Sequence, residues 1–168
     1  MARNPLFTEY QPGGLFSILG IEQTPGSVFF VHSGTGTDAT GGGRNPDAPL
    51  ATIDYAIGLC AASKGDVVFV MPGHAETITA ANAIDADIIG VSIIGMGRGS
   101  LKPTITFGTA TTATIRIQAA NVLVRGLRLV NNIDSLVKVV DVNADHATIE
   151  DVEMVTSSTK EALSFVKL

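Results

Sequence analysis

The stretch "VLVRGLRL" (Val122–Leu129) decides the fold, because "ATIEDVEM" (Ala147–Met154) repeats its pattern further along the chain. The two stretches carry apolar residues at matching places: Val122 and Ala147, Val124 and Ile149, Leu127 and Val152, and Leu129 and Met154. Their charged positions match too, but arginine in the first stretch is replaced by glutamate in the second. A fold that uses this repeat must bring like apolar residues together and set opposite charges side by side.

The repeat extends beyond these two stretches. The shift that places Val122 on Ala147, which we call the repeat shift, also aligns Thr114–Leu129 with Val139–Met154. A second shift of the same length brings Ser164–Lys167 onto the same pattern. Gly90–Met96 aligns with Asn121–Leu127 if the intervening coil carries an insertion at "GRGSLKPTITFGT". Repeats of this length, made of short strands with small residues at the turns, are typical of solenoids.

The fold class predicted by this repeat is an all-β solenoid, in the form of a short right-handed parallel β-helix. A period of about 25 residues with no helix inside it leaves about three short strands in each coil, and coils stack at roughly 4.8 Å. Residues one period apart then lie on neighbouring coils. We therefore expect Val124 to lie on Ile149, and Leu127 on Val152, inside the coil.

The charge inversion predicts a ladder on the outside of the coil. Opposite charges on adjacent strands stabilise a sheet, whereas like charges directly opposite one another destabilise it. The turn before this strand is expected to stack in the same way, with an asparagine over a histidine. The predicted structural ladder consists of Arg125 over Glu150, Arg128 over Glu153, and Asn121 over His146.

The segment before the coils predicts an irregular loop and one helix. The loop "HSGTGTDATGGGRNPDAP" is rich in glycine and proline, and "PLATIDYAIGLCAASKG" after it has apolar residues at helical spacing. Pro49 suits the first turn of that helix and Gly65 its C-cap. We expect an extended N-terminal arm at residues 1–30, the loop and a capping helix at 31–65, and β-helix coils at 66–168.

Composition excludes several classes of partner. The net charge is -5 and the eleven Lys and Arg are scattered, which argues against a nucleic-acid surface. Cys60 is the single cysteine, so no intrachain disulfide can form, and its apolar setting predicts a buried thiol. The apolar run Leu15–Ile21 is too short to span a membrane and lacks the features of a secretory signal. We predict no nucleic-acid partner, no membrane partner and synthesis in a cytoplasm.

Three consecutive segments carry a family resemblance. They read "GTGTDATGGGRNPDAPLATIDYAI", "GDVVFVMPGHAETI" and "GVSIIGMG" and span about Thr35–Met96. They resemble the opening of the pectate-lyase-like β-helix superfamily, where the first segment forms a capping helix and the second forms the first coil. The superfamily includes polysaccharide lyases, glycoside hydrolases, phage tailspikes and purely structural virion proteins. The resemblance therefore implies a fold and leaves the function open.

Catalytic chemistry in such a fold would need carboxylates. Polysaccharide cleavage uses two carboxyl groups about 5 to 10 Å apart, or a calcium site beside a basic residue that removes a proton. Glu150, Asp151 and Glu153 form the one dense carboxylate group. Two of them have arginine partners in the predicted ladder, and Asp151 takes the place of Gly126 at a bend. We predict a structural ladder here and no catalytic residue.

The remaining polar candidates have structural interpretations. Asp85 and Asp87 are placed at a turn between strands, where aspartate is common for backbone reasons. Asp38 and Asp47 flank the glycine-rich loop, and their spacing favours turn and cap roles over a calcium loop. His74 follows Pro-Gly and is interpreted as a turn residue. The sequence thus predicts no cofactor and no metal site.

Both ends of the chain predict association. The N-terminal arm is rich in large apolar residues without helical or alternating order, which predicts burial on another surface. The expected interface residues are Phe7, Tyr10, Leu15, Phe16 and Ile18. At the other end "ALSFVKL" stops within a third repeat copy, and an uncapped coil leaves strand edges that invite association.

The function favoured by these features is a non-enzymatic structural virion protein of a tailed bacteriophage. It would be a capsid decoration or cement protein, or a tail component, located in the virion after synthesis in the host cytoplasm. Its expected partners are other virion proteins, namely a major capsid or tail protein, and further copies of itself, with a trimer as one symmetry. Two alternatives stay open: a polysaccharide lyase or hydrolase that acts as a depolymerase, and a glycan-binding β-helix.

Overall fold

The computed structural model describes residues 26–156 and 159–167. The expected interface residues Phe7, Tyr10, Leu15, Phe16 and Ile18 lie outside the described residues. Within these ranges, the strands are β1 (Val28–Val31), β2 (Val67–Val70), β3 (Ala75–Ile78), β4 (Ile84–Ala86), β5 (Ser92–Gly95), β6 (Thr104–Phe107), β7 (Ile115–Ile117), β8 (Leu123–Arg125), β9 (Arg128–Asn131), β10 (Val140–Val142), β11 (Thr148–Glu150), β12 (Glu153–Val155) and β13 (Val166–Lys167). The helices are α1 (Ile53–Gly58) and a 3₁₀ turn at Gly99–Leu101.

The strands form three parallel sheets. Sheet A has the order β1-β2-β5-β8-β11, sheet B β3-β6-β9-β12, and sheet C β4-β7-β10-β13. From β2 onward, every three consecutive strands contribute one strand to each sheet, which defines one coil. The described part of the chain is thus all-β and β-helix-like, with one short α-helix. No helix within the described residues is long and apolar enough to cross a membrane.

The strand registers follow the repeat where the coils have equal length. Val124 pairs with Ile149 and Leu129 with Met154, both at the repeat shift. Ser92 pairs with Leu123, at the longer shift that the alignment of Gly90–Met96 requires. The extra residues surround β6 and include the 3₁₀ turn.

The predicted register of the last strand is wrong by one residue. The repeat shift would pair Phe165 with Val140, whereas the structure pairs Val166 with Val140 and Lys167 with Asp141. Side chains alternate between the two faces of a strand, so a slip of one residue exchanges its inner and outer faces. The observed register packs Val166 against the core and leaves Phe165 exposed.

The helix is shorter than predicted, and neither Pro49 nor Gly65 has the expected role. It begins after the N-cap Thr52, whose Oγ1 accepts a hydrogen bond from the Tyr55 N–H at 3.4 Å. The Asp38 carboxylate accepts hydrogen bonds from the N–H groups of Ala51 and Thr52, which holds the backbone before the helix in an extended form. The helix ends at Leu59, and Gly65 adopts a positive φ in the turn before β2.

The core lies inside the coils and continues under α1. Alternate residues of the strands point inward, and α1 adds Ile53, Ala56 and Ile57, which are fully buried. The helix packs against β4, β1 and β2. The largest fully buried side chains are Phe29, Phe107, Leu50, Ile53, Ile57, Ile84, Ile93, Ile105, Ile117, Leu129, Leu136 and His74.

Candidate functional site

The predicted charge ladder lies on the outer faces of sheets A and B. Arg125 on β8 is opposite Glu150 on β11, with 4.0 Å between Nη1 and Oε2. Arg128 on β9 donates from Nε to Glu153 Oε2 at 3.0 Å, and its Nη2 donates to the Gly99 carbonyl. All four side chains are partly exposed, so each pair is worth roughly 0 to 1 kcal/mol.

A longer ladder, which the sequence analysis missed, crosses sheet C. Asp85, Arg116, Asp141 and Lys167 occupy one register position on the four successive strands, so the charge alternates in sign along the whole sheet. Arg116 donates from Nε to Asp85 Oδ1 at 3.0 Å. The ion pair of Asp141 is with Lys138, which lies outside the ladder on the same coil. The coils joined here differ in length, so the repeat shift aligns only Arg116 with Asp141.

Hydrogen bonds shift the pKa values of two ladder members, Arg116 and Asp141. The bond to Asp85 raises the pKa of the Arg116 guanidinium. The bond from Lys138 lowers the pKa of the Asp141 carboxyl, against the opposing effect of desolvation. The prediction that Asp85 occupies a turn is wrong, because this residue is the centre of β4. Asp87 does follow that strand.

Asn121 and His146 occupy equivalent exposed turn positions before β8 and β11. Both have left-handed backbone conformations, with φ of 59° and 57°. The corresponding turns before β2 and β5 use Gly65 and Gly90, also at positive φ. Asparagine tolerates this conformation better than most residues, and glycine adopts it freely. The structure therefore gives His146 the place of a turn residue in a repeated turn.

At the bend between sheets A and B, Asp151 forms an ion pair with Lys102. Gly126 and Asp151 both have positive φ, at 76° and 46°, as expected for residues that replace one another at a bend. The Lys102 ammonium donates to the carbonyl of Asp151 at 2.9 Å and to its Oδ1 at 3.0 Å. Each carboxylate of the dense acidic group, Glu150, Asp151 and Glu153, thus has a cationic partner.

His74 ends the turn that begins at Met71, in keeping with its interpretation as a turn residue, and its buried side chain also forms a clamp that the sequence did not predict. The residue is 1% exposed, and its Nδ1 accepts a hydrogen bond from the Ser33 N–H at 3.1 Å. Since Nδ1 accepts, Nε2 carries the proton and faces Glu76 Oε2 at 3.2 Å. The same oxygen accepts from the Ile53 N–H at 3.2 Å. The pair therefore ties the loop after β1 and the start of α1 to β3.

Ser33, His74 and Glu76 have the composition of a hydrolase triad, but their geometry differs from one. A serine nucleophile needs its hydroxyl directed at a free lone pair of the histidine. Here the backbone N–H of Ser33 occupies the Nδ1 lone pair, and the Ser33 hydroxyl accepts from the Ala75 N–H at 3.0 Å. The cluster instead joins three backbone segments through hydrogen bonds, namely the loop after β1, the start of α1 and β3. Sequence reasoning missed it because Ser33 and His74 are 41 residues apart.

Three further polar groups have structural contacts. Asp38 also accepts a hydrogen bond from the Thr52 hydroxyl, in the cap role expected for it. Asp66 is buried and accepts from the N–H groups of Ser27 and Ala61, which joins the strand entry to the loop after α1. Cys60 packs against the core, and desolvation by burial raises the pKa of its thiol to about 12.

A polar depression lies on the described surface, at one side of the coils. Its volume is about 510 Å³, and it is wide open to solvent at the turns that follow β7 and β10. Its lining consists of Gln118, Ala120, Val142, Asn143, Ala144 and Asp145. In residues 26–156 and 159–167, no group of three or more His, Cys, Asp and Glu side chains is placed to hold a metal ion.

Comparison with known proteins adds no relative to this picture. No family model, no curated protein and no solved structure matches the chain. The membership of a β-helix superfamily that the segments within about Thr35–Met96 suggested therefore stays a prediction.

Proposed function

We propose that this chain is a non-enzymatic structural protein of a tailed-phage virion, either a capsid decoration or cement protein or a tail component. In this proposal the three parallel sheets form a right-handed parallel β-helix of the pectate-lyase-like type, and α1 caps its first coil. The parallel sheets and the sequence resemblance support the fold. The superfamily that the sequence resembles includes tailspikes and structural virion proteins among several classes. Support for this function must therefore come from the surface of the protein.

The observation that carries the proposal is the mutual pairing of charges on the outer faces. Asp85, Arg116, Asp141 and Lys167 alternate along sheet C, and two further arginine–glutamate pairs lie on sheets A and B. A catalytic carboxylate must be directed at a substrate. Asp85, Glu150 and Glu153 are instead held by arginines of neighbouring coils, which reinforces the stacking of those coils. The surface thus has the properties of a rigid building element.

Exposed apolar side chains near the last coil support association with other subunits. Val155, Phe165 and Leu163 are 38%, 39% and 72% exposed. The N-terminal arm, with Phe7 and Tyr10, is the proposed contact with a major capsid or tail protein. Burying one large apolar side chain contributes roughly 1.5 to 3 kcal/mol before ordering costs, so a few suffice to hold a subunit. The last coil is the proposed contact between copies in a homo-oligomer, for which a trimer is one symmetry.

Purified particles test the proposal directly. We expect mass spectrometry of purified phage particles encoding this chain to find it at a fixed copy number. Particles lacking the chain should bind the full-length protein and fail to bind a variant without Ala2–Pro12 that has an unchanged circular dichroism spectrum. The chain's absence from purified particles, or equal binding of the shortened variant, would contradict the proposal.

The competing function is cleavage or binding of a polysaccharide. The polar depression beside Gln118, Asn143 and Asp145 is the observation that favours it. A panel of acidic and neutral polysaccharides, followed by chain length and new unsaturated ends, should show no cleavage by the wild-type protein. Cleavage that is lost in Glu150→Gln or Asp151→Asn would establish the enzyme, and binding weakened by Asn143→Ala would establish the glycan-binding alternative.

A further inference from the structure

The outer face of sheet A is apolar on β1 and β2 and at Ile94 on β5, where Ser92 is the polar outward residue. Val67 and Phe69 on β2 and Ile94 on β5 form a cluster separate from the main core. Among the described residues, the apolar side chains packed against these three are Val28, Phe30 and Met96, and the rings of Phe30 and Phe69 are 5.7 Å apart. We call these six residues the outer apolar patch.

The patch lies on the side of the sheet opposite to the core. Val68, Val70 and Ile93 alternate with patch residues along β2 and β5 and belong to the main core inside the coils. Val67, Phe69 and Ile94 are nevertheless only 4%, 7% and 6% exposed. Strands buried on both faces occur where a sheet is covered on both sides. The composition and burial of β2 therefore indicate that the outer face of sheet A is covered as well as the inner one.

The patch is restricted to one end of the sheet. At one register position, Phe30, Phe69, Ile94, Arg125 and Glu150 follow one another from β1 to β11, so the face changes from apolar to charged after β5. The apolar part adjoins the point where the chain enters β1. The part of the chain that precedes Gly26 thus joins the described structure beside the patch.

We propose that residues Leu15–Ile21 of the same chain dock on the outer apolar patch. This segment, "LFSILGI", is the longest apolar run before β1. The six residues that separate it from β1 can span about 20 Å, whereas the three strands of the patch are only about 10 Å across. A short tether gives the segment a high effective concentration at its own patch, which favours it over a neighbour's segment.

This inference does not depend on the proposed function. It gives the part of the arm nearest β1 a role within the subunit and leaves Phe7 and Tyr10 to reach a partner. The attachment experiment removes Ala2–Pro12 and keeps Leu15–Ile21, so the two proposals can fail separately.

A single tryptophan tests the docking, because the natural chain has none. In the full-length chain we expect Phe16→Trp to give blue-shifted emission with several-fold less acrylamide quenching than the control Phe7→Trp. Adding Phe69→Ser, or the milder Ile94→Ser, should shift the Phe16→Trp emission to the red and increase its quenching. Adding Arg125→Ser, on the same face outside the patch, should leave both signals unchanged.

Three results would overturn the proposal. Quenching of Phe16→Trp equal to that of Phe7→Trp would show that the segment is not covered. A shielded tryptophan that ignores both patch substitutions in folded protein would place the segment elsewhere. Shielding that is lost on dilution, as oligomers dissociate, would show that the occupant is the segment of a second copy.

Discussion

The two ends of the stacked coils differ in how far the sheet edges and the core are covered. At the β1 end, loop backbone occupies the free edge of the sheet: Phe30 N–H donates to Gly43 O at 2.7 Å, and Leu50 N–H donates to Phe30 O at 2.8 Å. Helix α1 adds buried side chains to the same end. At the other end, within the described residues, β11, β12 and β13 are the last strands of their sheets, and their core-facing side chains are only half-buried.

This difference shows that a repeated pattern does not give each coil equal stability. An inward residue in a middle coil has neighbours on both sides along the stack, whereas one in the last coil has them on one side. Repeat proteins accordingly gain stability from interfaces between neighbouring repeats, and terminal repeats need special surfaces. At the β1 end the loop backbone pairs with the sheet edge and α1 adds buried side chains, whereas the core-facing side chains of the last described coil stay half-buried.

The largest expected effect concerns two single substitutions. Each places a charge at the same inward position, one in a middle coil and the other in the last coil. Val124 lies between Ile93 and Ile149 and is buried, whereas Ile149, its equivalent on the last coil, is half-buried. We expect Val124→Asp to lower the free energy of unfolding by several kcal/mol, since it buries an unpaired charge. Ile149→Asp should cost clearly less, because its carboxylate can reach water.

Chemical denaturation of both variants and the wild type measures this difference. Equal losses would mean that the last coil is as well covered as the middle one, and the contrast between the two ends would be lost. A larger loss for Ile149→Asp would reverse it.

An intermediate effect is expected at Gly95, where the backbones of two neighbouring coils lie close together. A Cβ atom on Gly95 would lie 2.2 Å from the Gly126 carbonyl oxygen, so Gly95→Ala forces the backbones apart. We expect Gly95→Ala to lower the free energy of unfolding by roughly 1 to 3 kcal/mol. Gly58 in α1 is the control, because a Cβ atom there meets open space, and alanine in a helix is more stable than glycine by about 0.5 to 1 kcal/mol. Thermal melts should therefore shift in opposite directions, and a neutral Gly95→Ala would disprove the tight contact.

The sequence predicted the fold best where the coils have equal length. The repeat shift correctly pairs β8 with β11 and β9 with β12, because no insertion separates them. In sheet C it correctly pairs β7 with β10 but fails for the other two pairs, because a long coil separates β4 from β7 and the register changes by one residue between β10 and β13. The repeat could not predict the side-chain hydrogen bonds of the His74 clamp either, for a different reason. Its partner Ser33 belongs to an irregular loop, whose path depends on tertiary contacts rather than on periodicity.

The smallest expected effect compares the interior of one charge ladder with the end of another. Asp141 lies between Arg116 and Lys167 on sheet C and is also paired with Lys138, whereas Glu150 lies on the last strand of sheet A beside Arg125. We expect Asp141→Asn to lower the free energy of unfolding by about 1 kcal/mol at neutral pH and Glu150→Gln to lower it by less than about 0.5 kcal/mol.

The hydrogen bond from Lys138 lowers the pKa of Asp141, so folding favours its charged form. Its stabilisation is therefore complete above the ordinary carboxyl pKa and is lost as the pH falls through the lower folded value. Urea titrations from neutral to strongly acidic pH should show the wild-type and Asp141→Asn curves converging at the acidic end, with Glu150→Gln close to wild type throughout. A difference for Asp141→Asn that persists in acid would show that packing, and not the ladder charge, is what the substitution removes.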